Sequence, residues 1–266
     1  MDKLKILERY KKEEDRLLVS KLFDKIGLAE KQNKVQFTDF LSPIEQKILL
    51  DVLKAISYRN YVLFGGTENS QRNMVIIYPD KLEDVFKNNK FDYNSICNCI
   101  RIRNNTEEYT HKIYLGGIIK LGIKREKVGD IIVSNDGADI IVNKEISKFL
   151  LSNLQQLTRF KKSKIDICDI NDVIQKEQEY KELKIIVSSL RLDNVIAELA
   201  KTSRSKAAEI LKQERVFINY ANETKNTKQV QSKDIITIRG IGKFIIDEIS
   251  GNTKNGKSVI MIKKFI

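Results

Sequence analysis

Ser189-Leu-Arg-Leu-Asp-Asn-Val-Ile-Ala-Glu-Leu199, then Ser203-Arg-Ser-Lys-Ala-Ala-Glu-Ile-Leu-Lys212, then Val216-Phe-Ile-Asn219, is the stretch on which the reading of this chain turns. Its spacing predicts a helix, a second helix and a strand. Ser203 is suited to cap the second helix, because a short hydroxyl just outside the first turn accepts a hydrogen bond from an N–H the helix leaves unpaired. Ala207, Ile210 and Leu211 then form an apolar stripe at helical spacing. Arg204 and Lys206 fall in that first turn, where unpaired N–H groups already attract anions, so the helix start reads as a docking point for a phosphate backbone. Ser205 is placed to orient the turn or donate a hydrogen bond, and Lys212 adds a cation at the far end. Upstream, Asp193 reads as the cap of a helix over 194–200 and Arg191 as a phosphate contact.

Charge supports the same direction. The chain of 266 residues carries a formal net charge of +12. Residues 183–266 hold 16 Lys and Arg against 8 Asp and Glu, so this final third supplies +8 of that total. A basic end on a nearly balanced body is the footprint of a module that binds a polyanion. A membrane surface fits less well: Trp is absent and no long helix pairs a basic face with a bulky apolar one. No apolar run reaches the roughly 20 residues that span a bilayer, and the start Met1-Asp-Lys-Leu-Lys-Ile6 lacks the apolar region of a secretory signal. A cytoplasmic, monomeric protein is expected. Cys97, Cys99 and Cys168 are an odd set without CxxC spacing, and the alternation through Ile96, Asn98 and Ile100 places Cys97 and Cys99 on one strand face as core residues.

Three parts follow along the chain. Residues 1–57 read as a helical segment, with Leu17, Leu18, Leu22, Phe23 and Ile26 as one stripe and Ile44, Ile48, Leu49, Val52, Leu53 and Ile56 as another. Ser42, Pro43 and Glu45 form a capping-box start. Residues 58–178 read as an α+β domain: strands at 61–64, 74–78 and 94–103, a helix over 110–121, strands at 128–134 and 138–142 across the turn Asn135-Asp-Gly137, a helix over 144–157 and a strand at 165–170. That order fits a ferredoxin-like or RNA-recognition sheet covered by helices. Residues 171–182 are a polar hinge candidate, and 183–266 form the basic module.

The helix-helix-strand stretch, from about Leu183 to Ile246, resembles the S4-type RNA-binding domain through Ser203-Arg-Ser-Lys-Ala-Ala208 and the Asn219 strand end. It departs from that pattern at Gln213-Glu-Arg215, where such domains carry a glycine. His111-Lys-Ile-Tyr-Leu-Gly-Gly-Ile-Ile-Lys-Leu-Gly-Ile-Lys-Arg-Glu-Lys-Val-Gly-Asp130 resembles the signature of the YlmH family, and with Phe64-Gly-Gly-Thr67 the likeness spans nearly the whole chain. The resemblance implies a bacterial RNA-binding protein with a C-terminal S4-type domain. It also implies ribosomal RNA and tRNA as partners on the large ribosomal subunit, in translation or ribosome-associated quality control.

Read physically, residues 111–130 are a helix in which Gly116 and Gly117 allow close approach of another backbone, then a loop exposing Lys124, Arg125 and Lys127 as phosphate contacts or as solvated charges. Lys243, within Gly240-Ile-Gly-Lys-Phe244, sets another cation after a strand at 235–238. Tyr220 is placed either to stack on a base or to pack at the sheet edge. With His111 as the single histidine, neither a catalytic triad nor a metal site has support. No glycine-rich segment matches a dinucleotide or nucleotide loop, so no cofactor is expected. Leu190-Arg-Leu-Asp193 superficially resembles the active-site core of a pseudouridine synthase, which leaves an RNA-modifying enzyme as the alternative, beside a cell-division-linked protein adaptor.

Overall fold

The computed structural model describes residues 3–104, 109–174, 179–252 and 256–266. The chain divides into two compact units, Met1–Lys176 and Glu177–Ile266.

The first unit opens with helices α1 (Lys3–Leu7), α2 (Glu13–Gln32) and α3 (Pro43–Ala55), with the short strand β1 (Gln36–Phe37) between the last two. The start of α3 is the expected capping box: Ser42 accepts from the Glu45 N–H, and the Glu45 carboxylate accepts from the Ser42 N–H at 2.6 Å. The buried stripe of α2 is Val19, Leu22, Ile26 and Ala29, a rotation from the expected one that leaves Leu17 56% exposed. Strands β2 (Tyr61–Phe64) and β3 (Met74–Ile77) join β1 in a three-stranded sheet of order β1-β3-β2. These two strands therefore pair with the helical segment rather than with the sheet that follows. The strand texture that begins at Tyr58 hides the division, because β1 is only two residues long and leaves no periodic signal.

After helix α4 (Glu83–Lys87) come β4 (Cys97–Arg103), α5 (His111–Lys120), β5 (Val128–Ser134), β6 (Gly137–Asn143), α6 (Lys144–Leu154) and β7 (Lys164–Cys168). They form a four-stranded antiparallel sheet of order β5-β6-β4-β7, the β-α-β-β-α-β arrangement expected for this region. The hairpin turns at Asn135-Asp-Gly137, where a Cβ on Gly137 would lie 1.9 Å from the Ile102 carbonyl oxygen of the adjacent strand. One face of the sheet packs on α5 and α6 through Ile100, Ile102, Ile140, Val142, Tyr114, Ile118, Leu150 and Phe160. Close approach in α5 falls to Gly117, whose Cβ would sit 2.5 Å from the Phe160 ring, whereas Gly116 has nothing near it. The neighbour is thus a ring rather than a backbone.

The second unit runs β8 (Tyr180–Val187), α7 (Leu192–Leu199), α8 (Arg204–Lys212), β9 (Val216–Ile218), β10 (Ala221–Asn222), β11 (Ile235–Ile238), β12 (Gly242–Asn252) and β13 (Ser258–Phe265). Its six-stranded sheet has the order β10-β9-β11-β12-β13-β8, so the first strand of the unit closes on the last. Helices α7 and α8 cover one face through Leu192, Val195, Ile196, Ala207 and Leu211, against Val216, Ile236, Ile238, Phe244, Ile246, Ile260 and Ile262. Of the expected hinge, residues 175–178 lie outside the described residues, and β8 begins at Tyr180. At the turn after α8, where the S4-type pattern carries a glycine, Glu214 takes the left-handed conformation at φ 57°. Among the described residues no helix is long and apolar enough to cross a membrane.

Candidate nucleic-acid interface

Ser203 caps α8 as its sequence requires, accepting from the Lys206 N–H at 3.3 Å while its hydroxyl lies 2.9 Å from that of Ser205. Arg204, Ser205 and Lys206 are all exposed in this first turn. Lys212 is exposed at the other end, about 12 Å away along nine residues of helix.

The environment of Asp193 differs from its expected role. Helix α7 starts two residues earlier, at Leu192, with Arg191 in the capping position and no side-chain cap. Asp193 is instead a buried carboxylate between two arginines. Arg191 donates to it through Nε at 3.2 Å and Nη2 at 2.9 Å, and Arg204 through Nε at 3.0 Å. The Asn194 N–H completes its shell at 3.0 Å. The hydrogen bonds from Arg191, then those from Arg204 and the two positive charges, hold its pKa below the ordinary carboxylate value against the opposing effect of burial. Asp193 thus clasps the start of α7 to the start of α8 and fixes two arginines beside the open helix end.

A loop that carries no recognisable motif completes this corner. The Leu192 N–H donates to the Lys228 carbonyl at 2.8 Å, and the Val230 N–H donates to the Leu190 carbonyl at 2.9 Å. These bonds hold the loop 225–229, which carries exposed Lys225 and Lys228, against the start of α7. The only trace in the sequence is the pair of lysines three residues apart, which by itself reads as an ordinary solvated loop.

The cations at 124–127 do not act together. Lys124 is exposed and makes no ion pair among the described residues. Arg125 turns inward, donating to the Val128 carbonyl and to the Gly129 carbonyl at 3.2 Å. Burial, with Arg72 alongside, pushes its pKa down to about 10. Arg72 donates to the same Val128 carbonyl at 3.2 Å and to the Phe40 carbonyl at 2.6 Å, so its guanidinium ties the N-terminal layer to β5 while that of Arg125 braces the start of β5. Lys127 bridges Asp39 at 2.8 Å and Glu145. Arg125 is therefore a structural cation, because unpaired carbonyls in a buried corner outcompete solvent for it. Arg125→Ala is expected to cost about 1–3 kcal/mol by removing the side-chain donor of the Gly129 carbonyl and one of the two donors of the Val128 carbonyl, with RNA affinity unchanged at the temperature where the variant is folded. Lys124→Glu should leave the urea midpoint in place and weaken RNA retention on filters; the opposite pattern would reverse the two assignments.

The sheet of the middle region has a further property. RNA-recognition domains read unpaired bases with aromatic residues on the sheet face away from the helices. Here that face carries Cys97, Cys99 and Ile141, packed under Phe40, Met74, Ile76, Ile170 and Val173. Every residue of β6 is buried. Burial pushes the thiols of Cys97 and Cys99 up to about 12, so both are inert core groups as expected. The face that would stack bases is occupied by the chain's own N-terminal layer, which restricts nucleic-acid contact in this unit to edges and loops.

In the second unit Lys243 lies over the Phe265 ring at 4.4 Å and the Tyr220 ring at 4.9 Å, with Nζ 3.3 Å from the Tyr220 hydroxyl. Tyr220 therefore packs beneath Lys243 on the outer side of the sheet, away from α7 and α8. The sequence-predicted residues thus fall into separate groups: Arg191, Ser203, Arg204, Ser205 and Lys206 at one corner, Lys212 at the far end of α8, Lys243 on the opposite sheet face, and Lys124 and Arg125 in the other unit. Among the described residues no group of three or more His, Cys, Asp and Glu is arranged to hold a metal ion.

Residues 89–172 match the family model described as "Putative RNA-binding domain in YlmH". The whole chain is similar to the ribosome-associated protein quality control protein P2 of Bacillus subtilis (strain 168), with 28% identity over 257 residues, 95% of each chain being covered. Among solved structures, the cell division protein ylmH from Streptococcus pneumoniae aligns with a TM-score of 0.47 and 20% identity over 62% of this chain and 98% of that one.

Proposed function

We propose, for a chain that belongs to the YlmH family, that it is a non-catalytic cytoplasmic RNA-binding protein acting in ribosome-associated quality control. Its partners on this reading are ribosomal RNA and tRNA on the large subunit. The similarity to the Bacillus protein supports the setting. The observation that carries the chemistry is the corner where α8 begins: a capped helix start, Lys206 exposed within it, and Arg191 and Arg204 held in place by one buried carboxylate. Unpaired N–H groups, a point charge and two planar guanidiniums within one turn suit phosphates of a folded RNA better than a base edge. Binding rather than reaction is supported by Asp193, the acid that the pseudouridine synthase alternative would need as a nucleophile, being buried and doubly ion-paired.

Phosphate contacts make binding salt-dependent, since each neutralised phosphate releases counterions. Replacing Arg204 and Lys206 together with alanine is expected to lower affinity for ribosomal RNA and to flatten the plot of log K against log salt by nearly two. Crosslinking in cells, followed by sequencing of the bound fragments, should recover large-subunit RNA and tRNA with the parent protein and lose them with the double variant. A salt slope identical in the two proteins would remove this corner from the interface.

A further inference from the structure

The sheet of the second unit has an outer face, turned away from α7 and α8, that the reading above does not use. Register places one row of residues across it. Phe217 on β9 is opposite Thr237 on β11, and Thr237 is opposite Lys243 on β12. The pairing of Phe244 with Lys264 brings Lys243 beside Phe265 on β13, and Phe265 is opposite Tyr180 on β8. At strand spacing this row spans about 19 Å over four intervals. Its two ends are aromatic. Arg239 lies over the Phe217 ring at 4.6 Å, and Tyr180 meets the Phe265 ring edge-on at 5.1 Å. Lys243 stands between them over Phe265 and Tyr220.

Rings left on a solvent-facing sheet are costly unless something covers them, and Tyr180 is 40% exposed. Cations outnumber acids here: Arg239 makes no ion pair among the described residues, Asp247 further along the face is already held by Lys233 at 2.7 Å and Lys263 at 3.0 Å, and Glu182, two residues from Tyr180, is opposite Lys263. Flat stacking groups at each end, a guanidinium plane over one ring and an ammonium midway match the alternation of base and phosphate in an unpaired strand. A folded duplex, whose bases are stacked internally, offers nothing to those rings. We infer that this row, Phe217-Arg239 to Lys243 to Phe265-Tyr180, is a second RNA surface that binds a single-stranded segment by stacking, separate from the phosphate-binding corner at α8. The surface belongs to a different sheet from the occluded face of the middle region, and it can fail as a site while the corner at α8 stands.

The test uses the full chain, a labelled ten-nucleotide RNA without self-complementarity, and a stable RNA hairpin. Tyr180→Leu with Phe265→Leu keeps apolar bulk and removes the stacking planes. Binding of the ten-mer is expected to weaken, raising Kd about tenfold, while hairpin affinity is unchanged. The Arg204→Ala, Lys206→Ala variant should show the reverse preference. Arg239→Gln, which removes the guanidinium over Phe217, should also weaken ten-mer binding and reduce its salt slope by about 0.7. Ten-mer affinity that is the same in parent, leucine variant and Arg239→Gln would overturn the proposal. So would self-association of the parent protein, seen by sedimentation and abolished by the leucine pair, since a protein partner would then be what covers the rings.

Discussion

Asp139→Ala is expected to lower the stability of the first unit by about 3–5 kcal/mol, the cost of breaking a buried charge cluster by removing one member. Asp139 lies in β6, fully buried, opposite Arg101 of β4. Arg101 donates to it through Nε at 2.9 Å and Nη2 at 2.7 Å; Arg103 reaches it at 3.0 Å and the Ile174 N–H at 3.1 Å. Alanine would leave two guanidiniums and an N–H facing a cavity beneath the N-terminal layer. Replacing both arginines with leucine would be little better, because it strands the carboxylate instead. The acid limb of stability provides an independent check. Burial pushes the Asp139 carboxyl up, but the hydrogen bonds from Arg101 and Ile174 and the charges of both arginines outweigh it, so its folded pKa is below the ordinary value. A depressed carboxylate stabilises the fold above its unfolded pKa, near 3.9, and loses that contribution as pH falls through the folded value. The urea midpoint should therefore drop below about pH 4 in the parent protein, with a shallower drop in Asp139→Asn. Identical acid limbs would mean that Asp139 is not the group that titrates.

The features legible in the sequence are those set by close neighbours along the chain. The Ser42 and Ser203 caps need a hydroxyl and a partner three residues on, and the turn at Gly137 needs a glycine between two apolar runs; each forms where expected. The fate of a charge is set instead by what folds against it. Arg125 and Lys124 are adjacent and look alike in sequence, yet one is drawn inward by carbonyls of β5 and the other stays in solvent. Asp193 reads as a cap because only its local spacing is visible; its second arginine, eleven residues later, depends on how α7 packs on α8. The covered sheet face of the middle region is invisible for the same reason, since Phe40 and Met74 precede Cys97 and Cys99 by many residues. Tyr180 and Phe265 are the extreme case: 85 positions apart, they meet only because β8 closes on β13.

Asp193→Asn should weaken RNA binding even though it adds one unit of positive charge to a basic unit. Two effects oppose each other. Removing a carboxylate about 7 Å from a bound phosphate relieves a repulsion of roughly 0.6 kcal/mol in water, and less once salt screens it. The same change frees Arg191 and Arg204, whose side chains each carry about 2 kcal/mol of rotamer entropy that must be surrendered again on binding. Their residual exposure keeps the loss well below that limit for each, yet the ordering cost still exceeds the relieved repulsion. The expected result is a Kd about tenfold higher at physiological salt, with the salt slope nearly unchanged because the same phosphates are neutralised. Stability should fall as well, by about 1–3 kcal/mol, since the carboxylate is buried but both guanidiniums are partly solvated. Comparing RNA affinity against salt with a urea melt of the same variant separates the two effects. Tighter binding together with an unchanged midpoint would show that Asp193 restrains these arginines rather than positioning them, and the clasp between α7 and α8 would lose its role in recognition.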